Sequence, residues 1–492
     1  MAVGVFTPYS TVAELFAGSA PAWIQSDLDI QRVRSYTAYE QIYWNAPDVF
    51  KLSMRGSNQL PVYVPAGRTI CDTIDRYTAQ DFTVTMTGPT GTATADSRAA
   101  ALAIEQLMRR ERFRSSFAGS RLYGIMRGDW IWHVTADPDK PAASRISITS
   151  LDPGMYFPIT DDDDVDTVIG CHIVETITTA DGERVRRLTY RKIPQSDGTN
   201  RITVEDGVFK IDEWETPGIA PEMIITPVTQ MPDEIQAIPV YHIKNTDEPG
   251  NPFGSSEMRG LERLMGALNQ TISDEDLALA LEGIGLYVTD GSEPKDSKTG
   301  ATVPWRLGPG RVVHTDGTFF RRESGSGGDG YTAHYNRLTT AMREAAGTPD
   351  IAVGSVDVTV AESGVALALQ LSPLLSKASN KNEIIVDVHN QMFFDLVRMW
   401  FTAYEDGTFD EVVPTCTVGS AVPVNRAAKF AELNDMLDRG VIDTVYYRTE
   451  AAKLGYTFPD TIGAAADAEF AKRNADPIAD RLNAEDDGTA GA

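Results

Sequence analysis

The chain has 492 residues, roughly three domains' worth, and an ordinary globular composition with 42% hydrophobic and 23% charged residues. A formal net charge of −26 excludes a protein that grips nucleic acid by neutralising phosphates with clustered Lys and Arg, yet suits a surface that nucleic acid must pass without sticking. Three scattered cysteines, Cys71, Cys171 and Cys416, exclude a zinc or redox motif and a disulfide framework, and point to a reducing compartment.

MAVGVFTPYS lacks the basic and apolar regions of a signal peptide, and no apolar run approaches the ~18 residues of a membrane span. The expectation is a protein that is cytosolic or assembled in the cytosol. Residues 11–46 read as helical, with Leu15, Phe16, Ile24, Leu28 and Val33 at rough helical spacing. A second helical run, SRAAALAIEQLMRRERFRSSFAGSRLYGIMRG, places Leu102, Leu107, Phe113 and Phe117 at helix period. In DWIWHVTAD, Trp130, Trp132 and Val134 alternate as in a strand, and short alternating runs broken by Gly, Asp and Pro continue to Asn245.

The pattern then changes. In NPFGSSEMRGLERLMGALNQ, Met258, Leu261, Leu264, Met265, Leu268 and Ile272 fall within about a 120° arc of a helix. Gly260, Ala267 and Thr271 form a small flank, Arg259, Arg263 and Gln270 the opposite polar face, and Ser255 a candidate N-cap. After a Gly- and Pro-rich stretch with short strands, YTAHYNRLTTAMREAAG sets Tyr331, Tyr335, Leu338, Met342 and Ala345 on a seam. Two narrow helices thus bracket a β-rich insert. TPDIAVGSVDVTVAESG has no helix period, a long helix with a kink expected at Pro373 follows, and a Pro- and Thr-containing connector leads to short helices in NRAAKFAELNDMLDRGVIDTVYYRTEAAKLGY.

No phosphate-cradling loop, zinc-helix motif or nucleophile elbow occurs, and the six histidines have no local partners at ligand spacing. Counted from Asp161 or Asp162, DDDDVD lacks the Gly and Glu of a calcium loop and reads as a solvated turn. Arg109, Arg110, Arg112, Arg114 and Arg121 spread around a helix, which favours a solvated or acid-paired face over a nucleic-acid contact. The expectation is no enzyme, no metal and no cofactor.

The order of elements resembles the portal proteins of tailed double-stranded DNA phages, of the type found in long-tailed phages of actinobacteria, over nearly the whole chain. YGIMRGDWIWHV, NPFGSSEMRGLERLMGALNQTISD, GTPDIAVGSVDVTVAESGVALALQLSPL and LDRGVIDTVYYRTEAAKLGY carry the likeness. The resemblance implies an α+β portal-like fold: N-terminal helices and β-rich wing at 1–250, stem helix 251–282, clip 283–330, second stem helix 331–347, and tunnel loop 348–362. A kinked wing helix at 363–404, a helical crown at 405–480 and a disordered tail at 481–492 would complete it. It also implies a ring, usually of twelve copies, at one capsid vertex of the virion, assembled in the host cytoplasm, through which DNA is packaged and ejected.

In that scheme Asp350, Ile351, Val353, Ser355, Val356, Asp357 and Thr359 line the channel, and Arg259, Arg263 and Gln270 face the stem lumen. Trp305, Arg306, Phe319, Phe320, Arg321 and Arg322 form the clip that meets terminase and the head-to-tail adaptor. The remaining partners are the major capsid protein and double-stranded DNA passing without sequence preference; no membrane is involved. A capsid or adaptor subunit would lack the helix–insert–helix arrangement, and a metal-dependent hydrolase would need ligand partners for 161–166.

Overall fold

The computed structural model describes residues 27–46, 49–54, 59–164, 166–180, 182–210, 223–225, 228–284, 286–296, 298–303, 316–322, 328–354, 364–405, 407–419, 426–442, 444–453 and 456. It divides into two units, 1–421 and 422–492.

In the first unit, α1 (Asp27–Tyr43) buries Tyr36, Tyr39 and Ile42, and α2 (Ala66–Tyr77) buries Ile70, Cys71 and Ile74. Strand β1 (Thr83–Thr87) leads to α3 (Ala95–Arg110), which starts in a capping box: Ser97 N donates to Thr94 Oγ1 (3.1 Å) and Thr94 N to Ser97 Oγ (2.8 Å). The helical run expected to be continuous breaks at Arg112, whose left-handed backbone (φ 53°) ends α3 and opens α4 (Phe113–Arg127). Ala100, Ile104 and Leu107 share the inward face of α3, while Leu102, expected inside, stands two residues from both Ala100 and Ile104 on the opposite face and is 61% exposed.

The arginines of this region are largely acid-paired. Arg109 meets Glu105 (2.8 Å), Arg110 meets Glu111 (2.9 Å), and Arg121 grips Asp75 through two bonds (2.7 and 3.0 Å).

The β-rich region resolves into two antiparallel sheets. The smaller has the order β10 (Val240–Lys244), β2 (Asp129–Ala136), β3 (Ile146–Leu151). The larger runs β4 (Tyr156–Thr160), β5 (Val168–Thr179), β6 (Gly182–Pro194), β7 (Asn200–Lys210), β8 (Met223–Ile225), with β9 (Thr229–Gln230) also on β7.

Two helices follow, α5 (Glu262–Ile284) and α6 (Gly328–Ala346), separated by strands β11 (Leu286–Thr289) and β12 (Phe319–Arg322). Helix α7 (Gly364–Asp395) runs on past Pro373 and continues through a wide π turn (Leu396–Trp400) into α8 (Phe401–Tyr404). The connector expected after it contains β13 (Val413–Thr417), which pairs antiparallel with β1 far back in the chain.

One core packs α3, α4, β2, β3, β10 and the end of α7 around Trp130, Trp132, Phe113, Phe393 and Trp400; a second packs α1, α2, α5, α6 and the start of α7. The second unit contains α9 (Arg426–Asp438) and α10 (Thr444–Lys453), with Phe430 stacked on Tyr456 (4.1 Å) and Tyr447 Oη donating to Asn434 (2.6 Å). Among the described residues no helix is long and apolar enough to cross a membrane.

Candidate functional site: the helix pair and its root

Helices α5 and α6 are antiparallel: Thr332, near the start of α6, donates to Glu275 far along α5 (3.1 Å), while Met342, near its end, joins Met265 and Leu268 in the core. The far end closes as a ribbon. Leu286 stands opposite Arg322 and Thr289 opposite Phe319; beyond them Asp290 accepts from the Thr318 amide and Asp316 from the Ser292 amide (2.7 Å). Only glycine fits at 317, where a Cβ would come within 2.5 Å of the Asp290 carboxylate and the Gly291 amide. Phe319, Phe320, Arg321 and Arg322 therefore lie on the strand opposite β11, whereas Trp305 and Arg306 lie outside the described residues.

The apolar stripe is where the spacing predicts it: Met258, Leu261, Met265 and Leu268 are each at most 5% exposed. The helix itself begins later than expected. Gly260 has φ 85°, so α5 starts at Glu262, and Ser255 is no N-cap; its hydroxyl bonds Glu248 (2.9 Å) and Arg259 (2.7 Å).

The polar face also needs correction. Arg259 and Arg263 are exposed, but Gln270 is 8% exposed and does not face open space. Its Oε1 accepts from Ser53 N (2.8 Å) and its Nε2 donates to Ser53 O (3.0 Å). Asn269 accepts from Val64 N (2.8 Å), Ser273 Oγ accepts from Val62 N (2.9 Å), and Gln59 Nε2 donates to Ser273 O (2.8 Å). A strap of chain at 49–54 and 59–64, between α1 and α2, thus lies along α5, where helix side chains bond the backbone of Ser53, Val62 and Val64. Gly266, on the same face, is covered by Phe50. Of the three side chains that read as a lumen face, Gln270 binds the chain's own backbone instead.

The segment 251–261 fastens this assembly to the body. Gly128 (φ 114°) ends α4, and a Cβ on Gly254 would lie 2.2 Å from its carbonyl, so the two backbones meet without side chains between them. The last carbonyls of α4 are then satisfied from outside: Ile125 O by Glu257 N (3.1 Å), Met126 O by Ser256 Oγ (2.5 Å), and Gly128 O by Asn245 N (2.7 Å).

Two buried carboxylates anchor the junction. Asp129, wholly buried, accepts from His242 Nε2 (2.7 Å), Tyr36 Oη (2.5 Å) and Gly254 N (2.7 Å). Burial pushes its carboxyl up, but these bonds outweigh burial and hold it below its usual range. Glu257 is opposed by burial in the same way, and Lys381 and Lys377 together hold it low. The sequence carries one clue to this hub, two lysines four residues apart on one face of a largely apolar helix, but nothing local in it points to Glu257.

At the end of α6, Asp350 is exposed and paired with Arg343, whereas Ile351 packs against the second core rather than lining open space. Val353 is half-buried; Ser355, Val356, Asp357 and Thr359 lie outside the described residues. The described aspartates of the run 161–166 sit in side-chain-capped turns: Asp161 accepts from Asp163 N (3.0 Å), Asp164 from Asp166 N (3.1 Å) and Thr167 Oγ1 (2.6 Å), and Asp166 from Lys244 (3.1 Å). Among the described residues no cluster of His, Cys, Asp and Glu is arranged to hold a metal ion.

No family model matches the chain, and no curated protein does. Among solved structures, it is similar to a chain from the virion of a native gene transfer agent particle, with 13% identity and a TM-score of 0.42, covering 92% of this chain and 99% of that one. It is also similar to a chain from the neck of an empty gene transfer agent particle, with 13% identity and a TM-score of 0.44, covering 92% and 98%.

Proposed function

We propose that this chain is a phage portal protein: a head-tail connector and virion structural protein, not an enzyme, that forms a ring at one capsid vertex and conducts DNA during packaging and ejection. The observation that carries the reading is the antiparallel pair α5 and α6, rooted in an α+β body and closed by a ribbon at its far end. The 23 residues of α5 reach about 35 Å. Its near half is buried, but in one copy Asp276, Leu279 and Ala280 on α5 and His334, Asn336 and Arg337 on α6 stand exposed. Leu279 is 52% and Leu60, on the strap, 76% exposed, which leaves apolar surface for a neighbouring copy.

In this reading Arg259 and Arg263 remain candidates for the lumen, Gln270 does not, and residues 348–362 form the narrow collar. The ribbon and the residues around it dock terminase and, later, the head-to-tail adaptor, and the body meets the major capsid protein. Negative-stain electron microscopy of the purified protein tests it. Closed rings with a central channel, twelvefold by resemblance, are expected, because a heterologous contact must close to stay soluble. A stable compact monomer at high micromolar concentration would sink the proposal.

A further inference from the structure

Lys377 stands on α7 one turn after Pro373 and reaches two acceptors at once. Its Nζ donates to Ala346 O (2.7 Å), the last residue of α6, and to Glu257 Oε2 (2.8 Å). Lys381, one turn further along, pairs with the other oxygen of Glu257 and donates to Asn245 O (2.9 Å) and Asn245 Oδ1 (2.7 Å). The two lysines differ in access. Both line a cleft of about 670 Å³ with Glu248, Arg259 and Asn380, but Lys381 is 5% exposed and Lys377 30% exposed.

Beyond Ala346 the chain turns at Gly347 (φ 67°), where a Cβ would find only Lys377 within 4 Å, and turns again at Gly354 (φ 92°), with open space around it. Between these pivots Thr348 is buried with its hydroxyl unpartnered, and Ala352 packs into the second core. The amides of Thr348, Ala352 and Gly354 all make backbone hydrogen bonds. Residues 347–354 are thus a plug anchored by Thr348 and Ala352 between two glycine pivots, with α6 tied to α7 by the Lys377 ammonium.

We infer that Lys377 is a latch: it holds the end of α6 and the plug 347–354 against α7, and its release lets the plug swing while the Glu257–Lys381–Asn245 cluster keeps the body closed. Release is feasible because Glu257 keeps Lys381 when Lys377 leaves, so no buried charge is stranded. The cleft gives a carboxylate or phosphate a route to compete for the Lys377 ammonium. All of these contacts lie within one copy, so the latch stands or falls separately from ring formation.

Hydrogen–deuterium exchange on the full chain tests it with Lys377→Met, Lys377→Arg and Lys381→Met. In Lys377→Met the amides of 347–354 should exchange about tenfold faster, the loss of one charge-assisted anchor, while β2 and α4 keep parental protection. Lys377→Arg should restore protection of the plug, and Lys381→Met should loosen the surrounding core and lower the melting temperature. Unchanged exchange at 347–354 in Lys377→Met would overturn the latch. So would failure of that variant to fold, or loss of protection throughout the body as in Lys381→Met.

Discussion

The two cores of the first unit are built from different material. Around β2 the core is aromatic: Phe113 stacks on Trp132 (5.0 Å), Trp130 lies 5.8 Å from Trp132, and Phe117 stacks on Phe82 (4.6 Å). Its central polar group, His389, is satisfied within the core, accepting from Trp132 Nε1 (3.0 Å) and donating from Nδ1 to Ile385 O (2.6 Å). At the root of α5 and α6 the apolar centre is rich in Met and Leu, and it is rimmed by buried Asn269, Gln270 and Ser273, which bond the strap, and by the Glu257 side chain, which bonds Lys377 on α7. Interlocked aromatic packing is expected to unfold as one block. A polar rim makes a joint whose contacts are separable one by one.

The largest expected effect probes that difference directly. Trp132→Ala should cost about 3–5 kcal/mol, since it empties a site with no exposed edge and leaves His389 Nε2 without its donor. Met265→Ala should sit at the lower end of about 2–5 kcal/mol, because thioether-rich surroundings relax into a cavity. Chemical denaturation measures both, and equal losses would mean that the two cores respond alike.

The aromatic core should also carry an acid sensitivity. Burial pushes His389 down to about 4, with the Ile385 carbonyl opposing, and pushes His133 and His172 down to about 4 as well. Their folded values lie below the ordinary ~6.5, so the stability from burying them neutral is complete above that pH and is lost as pH falls toward 4. For His389 alone the loss is on the order of 3 kcal/mol. Asp395 acts in the opposite sense: burial raises it to about 6, so its contribution is complete in acid and is lost as pH rises through that value. With three histidines against one aspartate, the melting temperature should fall between pH 6.5 and 4. His389→Gln should flatten that slope while lowering stability at neutral pH; an unchanged slope would remove His389 from the account.

A smaller effect belongs to the polar rim. Gln270→Leu keeps the volume but leaves both polar groups of Ser53 unpaired, at a cost of about 1–3 kcal/mol. Limited proteolysis should then cut between residues 49 and 64 faster than in the parent, with the aromatic core intact. An unchanged rate of cleavage there would show that α5 does not hold the strap.

These residues also mark what the sequence could and could not disclose. Trp130, Trp132 and Val134 alternate within one short segment, and Met258, Leu261, Met265 and Leu268 repeat within a few turns, so local periodicity places both in the interior. The strap cannot be read this way. Gln270 looks like a solvent-facing residue on a helical wheel, and only its pairing with a backbone 217 positions away makes it buried. The same holds for β13, whose partner β1 lies 326 to 334 positions distant, and for Glu257, whose two lysines lie on α7. Sequence patterns report which face is apolar. They do not report which distant segment will meet the polar one.

The smallest effect on stability is expected where the functional consequence should be sharpest. Residues 348–362 contain Asp350, Asp357 and Glu362 but no Lys or Arg. Asp350 is already neutralised by Arg343, so under the proposed reading Asp357, outside the described residues, is a carboxylate that a ring would repeat toward passing DNA. Transport without sequence preference requires that each phosphate contact break as easily as it forms, and an acidic collar meets that need by never making one. Asp357→Lys should leave unfolding within about 0.5 kcal/mol of the parent. It should yield normal rings that retain DNA at low salt and release it as salt rises, because each phosphate neutralised steepens the salt dependence. Packaging and ejection should fall in parallel. If the variant matches the parent across a salt series while rings still form, residues 348–362 do not line the DNA path, and the helix pair would have to form the constriction instead.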